Sequence, residues 1–137
     1  MVTNTHSLIQ HIKAVKKGHR RFENAFQGVS RMILEGGIEK TTVNGKTTYD
    51  FKVFRTGSKH VIGMYEEINS FVSYVKDAAE RGSSKEMAFV LVGEPGNGKT
   101  FFVEFLAGKY RGFLAHDENR KYTFKFQHLD RLGTYGR

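Results

Sequence analysis

Residues 88–100 read AFVLVGEPGNGKT, and this stretch decides the fold. An apolar, β-branched run leads directly into Gly93, Glu94, Pro95, Gly96, Asn97, Gly98, Lys99 and Thr100, which fit G-x-x-x-x-G-K-[ST], the P-loop that cradles nucleotide phosphates. Each residue type answers a chemical need. Backbone N–H groups must converge on phosphate oxygens, and a Cβ at Gly96 or Gly98 would obstruct that approach or the required dihedrals. Lys99 offers a compact positive charge to the β- and γ-phosphates. Thr100 offers a hydroxyl to Mg²⁺ and opens a helix whose N-terminus favours an anion. Glu94 and Asn97 are expected to face outward. The alternative is a glycine-rich strand-to-helix turn with a chance lysine. The context favours the P-loop, because a buried strand is expected before it and an amphipathic helix with Phe102, Val103, Phe105 and Leu106, ending by Gly108, after it. The expected cofactors are ATP and Mg²⁺, held by residues 93–100 with Phe101, the metal being reached by Thr100 through the nucleotide.

Composition sets the limits around that stretch. The 137 residues suit a chain with a real core, and 26% charged against 39% apolar residues describe a globular protein. No apolar run approaches the length that spans a membrane, and the N-terminus carries no signal-peptide core. The absence of cysteine rules out a disulfide framework or a cysteine-based zinc site, and fits a reducing cytoplasm. The net charge of +8 is uneven. Residues 1–21 hold Lys13, Lys16, Lys17, Arg20 and Arg21 with no acid; residues 108–137 hold seven Lys/Arg against Asp117, Glu118 and Asp130. Such a basic arm suits contact with nucleic acid, but it is more often a solvated helix face.

Upstream, residues 7–34 carry helical periodicity with a break near Gly18. Leu8, Ile12 and Val15 share one face; Phe22, Phe26, Val29 and Ile33 form a second stripe, closed by Gly36 and Gly37. His6, His11 and His19 lack the i, i+4 spacing of a helical metal pair and are expected to be solvated or capping. Residues 38–54 alternate around Asn44 and Gly45, a two-residue hairpin signal, with Tyr49, Phe51 and Val53 on one face. The polar run RTGSK at 55–59 is the expected boundary between an N-terminal arm plus hairpin (1–57) and a nucleotide-binding domain (58–137). A helix is expected from about Tyr65 to Arg81, burying Ile68, Phe71, Val72 and Val75, with Glu66 and Glu67 at its positive end and Gly82 as its cap. Residues 83–86 read as a short loop, and residues 122–127 as a strand with Tyr122, Phe124 and Phe126 on one side.

From Arg31 to Gly108 the sequence resembles the AAA+ module of the PrkA family of bacterial serine protein kinases. The resemblance rests on RMILEGGIEK at 31–40, VIGMYEEI at 61–68, FVSYVKDAAERG at 71–82, a lysine-glutamate loop, and FVLVGEPGNGKT at 89–100. Two departures stand out: the loop ends Gly-Asn-Gly-Lys-Thr-Phe where the family ends in Lys-Ser-Ser, and the hairpin has no counterpart. The resemblance implies an α/β fold, a partial P-loop NTPase (AAA+) domain preceded by a basic helical arm and a hairpin. It also implies that Val61, Ile62 and Gly63 receive the adenine ring; otherwise they form an ordinary strand-to-helix turn. Self-association through a completed module and a protein substrate follow from the same likeness.

After the P-loop no run of four apolar residues leads into Asp or Glu. Asp130 is the nearest candidate for a metal carboxylate, and its approach is broken by Gln127 and His128. Neither H-R-D-x-x-x-x-N nor D-F-G occurs, so no protein-kinase signature is present. These omissions make the chain read as the N-terminal part of a longer protein that binds ATP. Two alternatives remain open: a AAA+ helicase loader or initiator acting on nucleic acid through the basic arm, and a non-catalytic module in which ATP joins subunits.

Overall fold

Two capping boxes set the first two helices. Ser7 Oγ accepts from the Gln10 N–H while Gln10 Oε1 accepts from the Ser7 N–H, and Asn24 and Gln27 repeat the arrangement. They start α1 (Leu8–Lys16) and α2 (Ala25–Glu35) in a computed structural model that describes residues 5–128 and 131. Gly37, at φ 99, ends the α2 segment, as the paired glycines predict. Strands β1 (Ile38–Val43) and β2 (Lys46–Phe51) then pair antiparallel across Asn44 and Gly45, both at positive φ, with Val43 opposite Lys46. A single 3₁₀ turn, Lys52–Phe54, leads through 55–64 to α3 (Tyr65–Ala79), a second 3₁₀ turn (Ser83–Glu86), and α4 (Lys99–Ala115). The architecture is mixed α/β: four helices and one two-stranded sheet among the described residues.

The core sits where α2, the end of the hairpin, α3 and α4 meet, with aromatic rings joining them. Phe54 is fully buried and stacks on Phe102 of α4 at 5.7 Å, and Phe102 meets Phe71 of α3 edge-on at 5.4 Å. Ile33 and Met32 from α2, Phe51 and Val53 from the hairpin, Val61, and Ile68 and Val72 of α3 complete one cluster. That cluster draws on both sides of 55–59, so the core crosses the polar linker. The expected stripes of α2 and α3 hold at Ile33, Ile68, Val72 and Val75, all buried. Gly28 lets α2 and α4 approach, since a Cβ there would lie 2.6 Å from the Tyr110 hydroxyl. Arg31 ties the same region together. Its guanidinium bonds Glu23 (2.8 Å), Glu35 (3.2 Å) and the buried Asn119 (2.6 Å) and lies over the Phe113 ring.

Several expectations are corrected. Phe22 lies outside α2 and is 89% exposed, and Leu8 and Ile12 of α1 are exposed as well, since α1 buries none of its residues against the described elements. The 3₁₀ turn replaces the loop at 83–86. The left-handed residue closing α3 is Arg81 (φ 67), not Gly82. Gly82 is needed for space instead: the Asp77 carboxylate lies where its Cβ would be and accepts the Ser84 N–H at 2.9 Å. Hydrogen bonding from the Ser84 side chain, and then from its backbone N–H, holds the Asp77 carboxyl below the usual carboxylate range. Helix α4 runs past Gly108 to Ala115; the helix interior tolerates Gly108 and Gly112 at about 1 kcal/mol each relative to alanine.

The two strands expected at 88–92 and 122–127 do not form among the described residues. Neither segment has a neighbouring strand among the described residues to complete a ladder. Residues 88–92 nonetheless keep a strand's period of two: Phe89 packs on Phe71 and Tyr74 and Leu91 lies on the core, while Val90 and Val92 face out. Val92 is 88% exposed, so the run expected to be buried is buried on one face only. No helix among the described residues is long and apolar enough to cross a membrane.

Candidate functional site

The turn between Leu91 and α4 is shaped by its glycines. Gly96 stands at φ 86 and Gly98 at φ 73, in the left-handed region where side chains are strained. A Cβ on either would meet nothing within 4 Å, so neither glycine is required by packing inside the chain. Their backbone faces open space. Asn97 N–H bonds the Glu94 carbonyl at 3.3 Å, folding the loop back, and Phe102 N–H bonds the Gly98 carbonyl at 2.8 Å, the first bond of α4. Burial of Phe102 between Phe54 and Phe71 fixes this first turn on the core.

Lys99 holds the loop from inside. Its Nζ donates to the carbonyls of Gly93 (2.7 Å) and Glu94 (2.6 Å). Two carbonyl dipoles are a weak substitute for a full negative charge, so a phosphate group would compete for this ammonium. Around it opens a concavity of about 320 Å³ lined by Pro95, Gly96, Gly98, Lys99, Thr100 and Phe101. This lies at the lower end of the range of small-ligand pockets, about 300–1,000 Å³. Glu94 and Asn97 are exposed and do not line it. The N-terminus of α4 has no side-chain cap and no acidic residue in its first turn, so its partial positive charge is answered by no carboxylate there. The residues present therefore fit a phosphate chain: bare N–H groups, one ammonium and one hydroxyl. No group of three or more His, Asp or Glu that could hold a metal occurs among the described residues. A cation here would rely on Thr100 and on the phosphates themselves. Asp130 lies outside the described residues.

The expected adenine residues do not line this concavity. Val61 is a core residue, Ile62 is 82% exposed, and Gly63 stands at φ 66 beside Met64 at φ 54, which begins α3. The residue that fixes their turn is Arg55, read from sequence only as part of a polar linker. Its Nη1 donates to the carbonyls of Val61 (2.6 Å) and Gly63 (2.9 Å), its Nε pairs with Asp50 of β2 at 2.7 Å, and its guanidinium lies 4.4 Å from the Tyr65 ring centroid. The hairpin thus sets the entry to α3 through one arginine. An arginine following a strand that holds an aspartate five residues earlier was the available signal, but such spacing carries no chemistry until the chain folds.

His19 is exposed, as expected, whereas His6 and His11 are engaged by Arg20. Arg20 donates Nη1 to His11 Nδ1 (3.1 Å) and Nη2 to His6 Nε2 (2.8 Å), and its guanidinium lies 4.5 Å from the centre of the Tyr122 ring. No protein-family model, curated protein or solved structure matches the chain.

Proposed function

We propose that the chain binds Mg·ATP at residues 93–101, as the nucleotide-binding part of a AAA+ module similar to that of the PrkA kinases. One observation carries this reading. Gly96 and Gly98 adopt the left-handed conformation over open space, with the Lys99 ammonium held only by loop carbonyls at an uncapped helix end. In this arrangement the N–H groups of residues 96–100 bind phosphate oxygens, Lys99 exchanges its carbonyl partners for the β- and γ-phosphates, and the Thr100 hydroxyl meets Mg²⁺. For the base the resemblance implies Val61, Ile62 and Gly63; of these Ile62 offers an exposed apolar side chain, whereas Val61 is buried and the Val61 and Gly63 carbonyls are held by Arg55. The missing cysteines suit a reducing cytoplasm, and the outward Val90 and Val92 on a segment with no strand partner among the described residues suit self-association. Phosphate transfer to a protein serine rests on the family resemblance alone.

These groups meet charge already present in bound nucleotide, so they contribute affinity more than rate. An arginine finger alone is worth roughly 10³ to 10⁵ in rate, and no run of four apolar residues ending in a carboxylate follows the loop in the sequence. The chain is therefore expected to bind ATP and barely turn it over. Calorimetry with Mg·ATP tests the reading: the parent chain binds, and Lys99→Ala loses measurable affinity while keeping its helical circular dichroism. Equal affinity in parent and variant would refute it.

A further inference from the structure

The two basic segments that are far apart in sequence meet in the fold. Residues 5–21 carry five Lys/Arg and no Asp or Glu; residues 118–128 carry Arg120, Lys121 and Lys125 against Glu118. Arg21 N–H bonds the Glu118 carbonyl at 3.3 Å, and Lys121 Nζ bonds the Glu23 carbonyl at 2.9 Å. Tyr122 is the joint. Its ring takes the Arg20 guanidinium on its face and the His6 and His11 rings edge-on, at 5.7 and 5.4 Å. Positive charge from both ends of the sequence is thereby gathered on one face. Of the nearby acids, Glu23 is paired with Arg31, Asp117 offsets Arg120, and Glu118 offsets one further charge, which leaves a net positive face. Lys13, Lys16, Lys17 and Lys125 are exposed and form no ion pair among the described residues.

Aromatic rings stand among these cations. Phe22 follows Arg20 and Arg21 and is almost fully exposed, while Phe124 and Phe126, at 78% and 68% exposure, flank Lys125 and contact each other edge to face. Nothing among the described residues packs over these three phenylalanines. Cations that follow a phosphate backbone, interleaved with rings on which bases can stack, are what single-stranded nucleic acid requires. A duplex would meet only the cations, since its bases are already stacked. An anionic membrane would attract the same charges, but burying this face in hydrocarbon is costly. Residues 121–127 lie in no helix or strand, and their backbone makes no backbone–backbone hydrogen bond among the described residues. Each unsatisfied group would cost several kcal/mol in lipid.

We propose that the face built from α1, the turn at 20–22 and the segment 120–126 binds single-stranded nucleic acid. It shares no residue with the P-loop and does not depend on nucleotide binding there. The test is fluorescence anisotropy of the full chain with an oligo(dT) of about a dozen nucleotides, against a duplex of the same length. With about four phosphates engaged, raising salt from about 50 to 200 mM should weaken binding about 50-fold. Phe124→Ala and Phe126→Ala, both at exposed positions, should each weaken oligo(dT) binding at least about fivefold without changing the salt slope. Lys16→Ala should lower that slope, and Lys99→Ala should leave affinity unchanged. Equal affinity for duplex, no loss in either phenylalanine variant, or loss in Lys99→Ala would each overturn the proposal. So would binding to phosphatidylserine vesicles without affinity for oligo(dT).

Discussion

Helices α3 and α4 begin alike and are finished differently. Each follows a left-handed residue, Met64 at φ 54 and Gly98 at φ 73, and neither has a side-chain cap. At α3 the chain supplies its own compensation: Glu66 and Glu67 stand in the first turn, and Arg55 ties down the carbonyls that precede it. At α4 the first turn has no acid and instead begins with Lys99, which adds positive charge to the positive end of a helix dipole. In isolation that arrangement is unfavourable. It becomes favourable when an anion arrives. With α1 and α2 closed by full capping boxes, the start of α4 is the one long-helix N-terminus among the described residues whose electrostatics call for a ligand.

The largest effect that sharpens this contrast lies just behind the loop. Phe102→Ala should cost about 3–5 kcal/mol in urea unfolding, because it empties the contact between Phe54 and Phe71 that anchors α4. Val90→Ala, on the exposed side of the preceding segment, should stay within about 0.5 kcal/mol. Comparable losses would mean that α4 is not held where its aromatic contacts suggest. The caps come next. Asn24→Ala should destabilise by about 1 kcal/mol, whereas Thr100→Ala, in a helix end that no side chain caps, should change stability by only a few tenths. A Thr100 variant as damaging as the Asn24 variant would show that the α4 terminus is structurally closed after all.

The smallest effect concerns pH. The hydrogen bond from Arg31 holds the Glu23 carboxyl below the ordinary range, outweighing the burial that would raise it. The folded value being the lower one, the unfolded chain takes up the proton first. The stabilisation is therefore complete above the ordinary glutamate value of about 4.3 and is lost as pH falls through the depressed folded value. Arg31→Met should flatten that acid limb of the stability curve; an unchanged limb would remove Glu23 from the account.

What could be read from sequence was what depends on near neighbours. Asn44 and Gly45 specify their hairpin, Gly36 and Gly37 end α2, and the spacing of Ile68, Val72 and Val75 places the buried face of α3, because turn dihedrals and helical period are local properties. The left-handed glycines of the loop at 93–100 were legible for the same reason. Whether residues 88–92 and 122–127 form strands is not a local property, since a strand exists only with a partner, and neither finds one among the described residues. Arg55 was missed because its role depends on carbonyls six and eight residues away, brought within reach by the hairpin. Tyr122, Arg20 and His11 come together across more than a hundred residues, and no spacing in the sequence announces it.

The difference between the two helix starts can be measured residue by residue. Pyrophosphate with Mg²⁺ carries the phosphate chemistry without a base, so it reaches a P-loop and leaves any adenine pocket alone. Adding it to ¹⁵N-labelled chain should move the amide resonances of Gly96, Gly98, Lys99 and Thr100 in a saturable way. Those of Tyr65, Glu66 and Glu67 should stay in place. Amides at 96–100 that remain still at saturating Mg·pyrophosphate, or equal shifts at the start of α3, would contradict the claim that the loop before α4 is built for phosphate.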